Sequence, residues 1–370
     1  MSIDPWRKRT VDKTKTTGKQ LLAVLFAGLL SPILRVVPEQ TGKLAGAGGW
    51  IGPLLGMPVF ILVVVILGKT ICRLKGGGGL PQLYRVSFGR FLGRVVSVLT
   101  GLWLLVTAVS GLRYYGESFL SSIYPDTDIW LFLISLMAVV WWACRQGLGA
   151  ICRMGHIFFY ALLALAGAIV VMGLKEVHLY HIWPVWMEGW GKVGESAFPV
   201  ISLMGVSLVI LYCRGEISRE EGGLKRTAGW LMALAVVLSL LGLVIIGMFG
   251  WETAVRLQMP FFSTAKEVNV LGVFERVEAV IVATWVFSDL ALQALLLWTG
   301  VELISGGNQK VQPWLRGGWV VIAIVGAVYI VPEAFELTKL WTEKLRWVDA
   351  VICYGIPVAA CVPVWLGKRE

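Results

Sequence analysis

Long apolar runs separated by short polar stretches set the pattern of this chain. A helix needs roughly 20 apolar residues to cross the hydrocarbon core of a bilayer. Ten segments approach that length: Gln20–Val37, Trp50–Gly68, Arg94–Gly116, Ile129–Ala143, Ile157–Leu174, Ala197–Cys213, Ala228–Phe249, Gly272–Glu302, Trp314–Val331 and Val348–Leu366. Taken in order as spans one to ten, they predict an all-α integral membrane protein with about ten transmembrane helices. Helices are expected because backbone polar groups in lipid must be satisfied within their own segment. A tail over 1–19 precedes one transmembrane domain over 20–366, and a short tail over 367–370 follows. Two five-helix halves are expected inside the domain, over about 20–174 and 197–366. The longest connections are Lys69–Arg94 and Lys175–Ser196. The first contains Leu83, Val86, Phe88, Phe91 and Leu92 at helical spacing, which suits an amphipathic helix on a membrane face.

Composition supports the membrane class and charge orients it. The chain is 57% hydrophobic and only 15% charged, with a mean hydropathy of +0.76. A soluble domain carries charge nearer a quarter of its residues. Eighteen tryptophans suit two interfacial belts. With an inner N-terminus, 22 of the 33 Lys and Arg residues fall on the inner side. This bias obeys the positive-inside rule and predicts two cytoplasmic termini. It also explains the net charge of +10 without a nucleic-acid partner. A signal peptide is not expected, because the charged leader is long and the next segment holds a proline, although Ala45-Gly46-Ala47 resembles a cleavage site. None of the six cysteines forms a CxxC pair or lies in an outer connection, which argues for thiols rather than disulfides or metal ligands.

Helix breakers point to where a site could form. Span one contains Gly28-Leu29-Leu30-Ser31-Pro32, followed by Ile33 and Arg35. Span six contains Pro199 and Gly205, with Ser202 and Ser207 nearby. Proline removes an amide donor and clashes with the preceding turn. Paired interruptions in corresponding spans of two halves mark the midplane site of inverted-repeat transporters. Ordinary kinks are the plainer alternative.

Charge at membrane depth is the second pointer. Asp289 lies about midway through span eight, as a ligand or ion partner or as a carboxyl bonded to a neighbouring helix. Arg113 and Glu117 share a face at the outer end of span three. Glu275, Arg276 and Glu278 begin span eight on the same side. Together these five could form a network joining the two spans, either a gate or a structural clamp. His178 and His181 beside Glu176 have the spacing of half a metal site, but Tyr180, Trp183, Trp186 and Trp190 make an interfacial belt the better reading. No metal and no cofactor are expected. No phosphate loop, dinucleotide fingerprint, zincin motif or nucleophile elbow is present, which disfavours an enzyme.

The stretch Phe274-Glu275-Arg276-Val277-Glu278-Ala279, followed by Trp285, resembles the B subunit of bacterial spore-germination nutrient receptors. Similar features are Pro38 with Trp50-Ile51 beyond it, Arg113, Arg145-Gln146-Gly147 leading to Ala150-Ile151-Cys152-Arg153, and Ala197-Phe198-Pro199-Val200. The resemblance covers about Gln20 to Gly307. That family belongs to the amino acid–polyamine–cation transporter superfamily. The resemblance implies a leucine-transporter-like fold of two inverted five-helix repeats, with helices one and six broken. It also implies a spore inner membrane location, a receptor A subunit and a lipoprotein C subunit as partners, and a small germinant, typically an amino acid, as ligand. Sensing and signalling, rather than transport, are its implied tasks. The chain departs from the pattern where the family usually has glycines (Ser31, Pro32 and Ile33 here) and where it often has a glutamate (Leu208 here).

The ligand contacts expected between spans one, three, six and eight are Gly28, Ser31, Pro32 and Ile33; Thr107, Ser110 and Gly111; Met204, Gly205 and Ser207; and Trp285, Ser288 and Asp289. The alternative function is a secondary transporter of an amino acid or amine, coupled to protons through Asp289.

Overall fold

The computed structural model describes residues 18–74, 78–123, 128–213, 223–257, 260–267, 277–331 and 344–367, together with 333, 336, 337 and 340. Among them there is no strand, and each of the ten predicted segments is helical. Spans one to five are the helices Gly18–Ala45, Gly52–Arg73, Gly79–Ile123, Ile129–Gln146 and Leu148–Gly173. Span six is assembled from Ala197–Met204, a 3-10 turn over Gly205–Leu208 and a last helical turn over Val209–Tyr212. Spans seven and eight are Leu224–Phe249 and Val277–Ser305. Span nine runs from Gln312–Val325 into a π-helical turn over Gly326–Ile330. Span ten is Arg346–Asp349, a π-helical turn over Ala350–Gly355 and Ile356–Trp365.

Nine helical stretches among the described residues are long and apolar enough to cross a membrane. The first, Pro32–Arg73, joins the end of span one to span two, and the rest of span one, Gly18–Leu30, is a shorter apolar helix. Burial sorts the spans into centre and rim. In span eight 78% of the apolar window is enclosed by protein, whereas in span nine only 17% is. Span eight packs against spans one, three, four and five, and span one also packs against spans five and seven. A helix apolar on every side belongs in such a centre.

Two breakers behave differently from each other. Span six does change winding at Gly205, as its glycine suggested. Span one keeps Pro32 and Pro38 inside a helix continuous from Gly18 to Ala45. A proline withholds one amide, so only one carbonyl of the previous turn loses its intrahelical donor. A packed helix tolerates that loss, and the expected interruption of span one is therefore a proline-bearing helix rather than an unwound stretch.

The connection before span three is also resolved into parts. Span three bends at Gly89, whose φ of 85° and ψ of 176° are non-helical and easy only for glycine. Before that bend Leu80, Leu83, Tyr84 and Ser87 are buried, while Phe91 and Leu92 beyond it are exposed. The expected amphipathic helix thus turns its apolar face into the protein.

Candidate functional site

Span one carries Gly28 and Arg35 seven residues apart on one helical face, and both meet span eight. A Cβ added to Gly28 would lie 2.9 Å from Leu292 Cβ and 3.3 Å from its Cα. The missing side chain lets the two backbones close together, the usual role of small residues between membrane helices. One turn along span eight, the Ser288 hydroxyl donates to the Ala27 carbonyl. Arg35 Nη2 then reaches Asp289 Oδ2 at 2.6 Å, with both side chains at most 4% exposed. Asp289 is therefore bonded to a neighbouring helix.

Aromatic rings enclose this pair. The Arg35 guanidinium lies 5.0 Å from the Tyr115 ring centre, 5.2 Å from that of Trp285 and 5.9 Å from that of Tyr114. Rings at that range stabilise a cation through their negative faces, more so when water is excluded. Trp285 is itself held by Phe261 and Phe262. Buried ions cost several kcal/mol each to desolvate, so a pair survives only with good geometry and further partners. The 2.6 Å contact and the three surrounding rings supply part of that compensation.

Span three meets the same face of span eight. Gln293 Nε2 donates to the Ala108 carbonyl at 3.0 Å. The same nitrogen would lie 3.0 Å from a Cβ placed on Gly111. Ser110 is buried, and Thr107 bonds only the Trp103 carbonyl of its own helix, at 3.0 Å. In span six Met204 and Ser207 are buried, with the Ser207 hydroxyl 3.8 Å from the Met204 sulfur. Ile33 lines a cavity of about 10 Å³ with Val37, Pro38 and Trp50, room for a single water. Pro32 is half-buried. Ser31 is helical, and its side chain lies outside the described residues.

Of the five network residues, Arg113 and Glu117 are seen together. Arg113 Nε is 2.5 Å from Glu117 Oε1, a charge contact in which the N–H is not aligned on the oxygen. Glu275 and Arg276 lie outside the described residues, as does the side chain of Glu278.

Sequence reasoning missed the partner of Asp289. Arg35 reads as an outer-end charge, yet its i, i+7 relation to Gly28 was the available signal. It missed Asp349 as well. That residue stands at the second position of its predicted span, where an interfacial carboxylate is unremarked, but it is 2% exposed and touches spans three and six.

Comparison with known proteins agrees with this architecture. Spore germination protein KB of Bacillus subtilis (strain 168) is 23% identical over 301 residues, 79% of this chain and 78% of that protein. Mhp1, a nucleobase-cation-symport-1 family transporter, in a closed conformation with bromovinylhydantoin bound, matches with a TM-score of 0.62. The identity is 15%, over 91% of this chain and 77% of that one. The inward facing conformation of Mhp1 matches at 0.52 and 15% identity, over 93% and 76%. This likeness establishes the leucine-transporter-like fold and says nothing of the substrate. These relatives and fold neighbours are permease- and transporter-like. A family model described as spore germination protein matches residues 19–331, and the chain belongs to that family.

Proposed function

We propose that this germination-family, permease-like membrane protein is the germinant-sensing subunit of a spore germination receptor. It binds a small molecule, an amino acid in the first instance, between spans one, three, six and eight. It passes the bound state to a receptor A subunit and a lipoprotein C subunit. Its home is the spore inner membrane, with both termini in the cytoplasm and one transmembrane domain.

The pairing of Asp289 with Arg35 is the observation that carries this reading over the transporter alternative. A carboxylate ion-paired at 2.6 Å inside an aromatic cage stabilises one packing of spans one and eight, and is poorly suited to load and release protons. Proton-coupled transport through Asp289 is therefore disfavoured. Span six supplies the mobile part, because its winding changes at Gly205 beside Ser207. A ligand shifts such an equilibrium by its difference in affinity for the two states.

A thermal-shift screen of the purified chain against amino acids, sugars and nucleosides tests the proposal. A ligand that binds only the native state adds about 2.7 kcal/mol at 100 times its Kd. Ser207→Leu should abolish that shift and the germination response while leaving expression intact, at a cost of about 1–3 kcal/mol in unliganded stability because the position is buried. A response unchanged by Ser207→Leu would remove span six from the ligand site. Uptake by the purified chain alone in vesicles would instead favour transport.

A further inference from the structure

Asp349 is a carboxylate inside span ten, 2% exposed, and no cation among the described residues is ion-paired with it. The ion pairs among the described residues are Arg35–Asp289, Lys43–Glu39, Arg113–Glu117 and, in the connection before span six, Lys192–Glu195. Asp349 Oδ1 accepts from Trp103 Nε1 of span three at 3.0 Å and from the Cys353 thiol at 3.2 Å. Oδ2 is fully buried with no hydrogen-bond partner.

That second oxygen faces the break in span six. It would lie 2.8 Å from a Cβ on Gly205, the first residue of the 3-10 turn. Cys353 Cβ and Tyr354 Cε2 would approach the same atom to 3.1 and 3.2 Å. The turn is held from span ten as well. The Gly205 amide bonds the Ser202 carbonyl instead of that of Ile201, and the Tyr354 hydroxyl donates to the Ile201 carbonyl so released. Asp349, Cys353 and Tyr354 are brought to one side by the π-helical turn of span ten, a feature frequent at functional sites.

An ionised carboxylate in this place would be a buried charge without a countercharge, an arrangement proteins avoid. On the Gly205 side the packing is close, since an added Cβ would already meet Oδ2, Cys353 and Tyr354 within 3.2 Å. A hydrogen atom is the occupant that fits. We propose that Asp349 is a proton-binding site, with the proton held on Oδ2 while spans six and ten are in contact and exchanged when they part.

Among the described residues the titratable groups facing Asp349 are Cys353 and Tyr354 of span ten, and no Lys, Arg or His of that set faces it. Behind Cys353 stand Tyr84 of span three and Tyr212 of span six. Their hydroxyls are 2.9 Å apart. The polar groups thus form a seam between spans three, six and ten, separate from the Arg35–Asp289 pair. The site gives the protein a way to tie the state of span six to protons without using Asp289.

The full-length chain, purified into lipid nanodiscs and labelled with carboxyl-13C aspartate, tests this without any germinant, so the result does not depend on the sensing role. At neutral pH the wild type should show one protonated, buried aspartic acid by NMR or infrared spectroscopy. Asp349→Asn should remove that signal, and Asp128→Asn, at an exposed position before span four, should leave it. Asp349→Glu keeps an acid in place but carries no label, so it should remove the signal even if Asp349→Asn does not fold. Trp103→Phe, which takes away the donor to Oδ1, should shift the same signal. Absence of a protonated aspartate in the wild type, or its survival in either Asp349 variant, would overturn the proposal.

Discussion

Arg35 and Asp289 show how one residue pair can decide the packing of a membrane helix bundle. Removing one partner of a buried ion pair strands the other, a loss of about 3–5 kcal/mol, whereas replacing both with apolar residues is often neutral. Arg35→Met and Asp289→Leu should each lower stability by that order, and the double variant should recover most of it. Unfolding titrations of the three purified variants will show whether the losses are non-additive. Additive losses would mean that the contact at 2.6 Å is not an energetic pair. Gly28 is a second test at this scale. Gly28→Ala should cost about 1–3 kcal/mol by overpacking. Leu292→Ala should not relieve it, because the close atoms are Leu292 Cβ and Cα, which alanine keeps. These two roles differ in how far they could be read from the chain. Asp289 was visible as an isolated charge in an apolar run, but its partner required knowing which face of span one meets span eight.

Span six shows the same division for an element. Gly205 marked a weak point in its winding, and the 3-10 turn over Gly205–Leu208 begins there. Pro32 marked another in span one, yet that helix is continuous. A breaker residue lowers the cost of interrupting a helix; whether interruption follows depends on which neighbours receive the freed backbone groups. In span six the receiver is Tyr354, through the Ile201 carbonyl. Tyr354→Phe should leave that carbonyl buried and unbonded, a cost of about 1–3 kcal/mol. Hydrogen exchange should then quicken over Gly205–Tyr212 and stay unchanged in span one. Equal protection in the wild type and in Tyr354→Phe would show that the hydroxyl does not hold the turn.

For the whole molecule, the excess of Lys and Arg in alternate connections predicts that reporters fused to either terminus will be active on the cytoplasmic side. A C-terminal reporter active only on the outer side would mean an odd number of crossings and would remove the two-half reading. Burial adds a second expectation. Span nine is the least enclosed, so its surface is where lipid or a partner subunit must cover apolar area. Cross-linkers placed at Val321 or Tyr329, both exposed, should capture lipid or partner, while one at Ala294 or Leu295, both buried, should capture neither.

The chain alone determined the membrane class and the approximate positions of its apolar helices. Bilayer thickness imposes a length on every apolar run, and that constraint is local. It also carried the family resemblance, through short stretches whose order and spacing are legible without a fold. Tertiary structure alone decided which polar residues share the interior. It joined Arg35 to Asp289 across 254 positions and set Asp349 against Gly205. Between membrane helices the selection is made by close packing and by satisfying buried polar groups. Both depend on residues far apart in the chain, and a spacing such as that of Gly28 and Arg35 names a shared face without naming its partner.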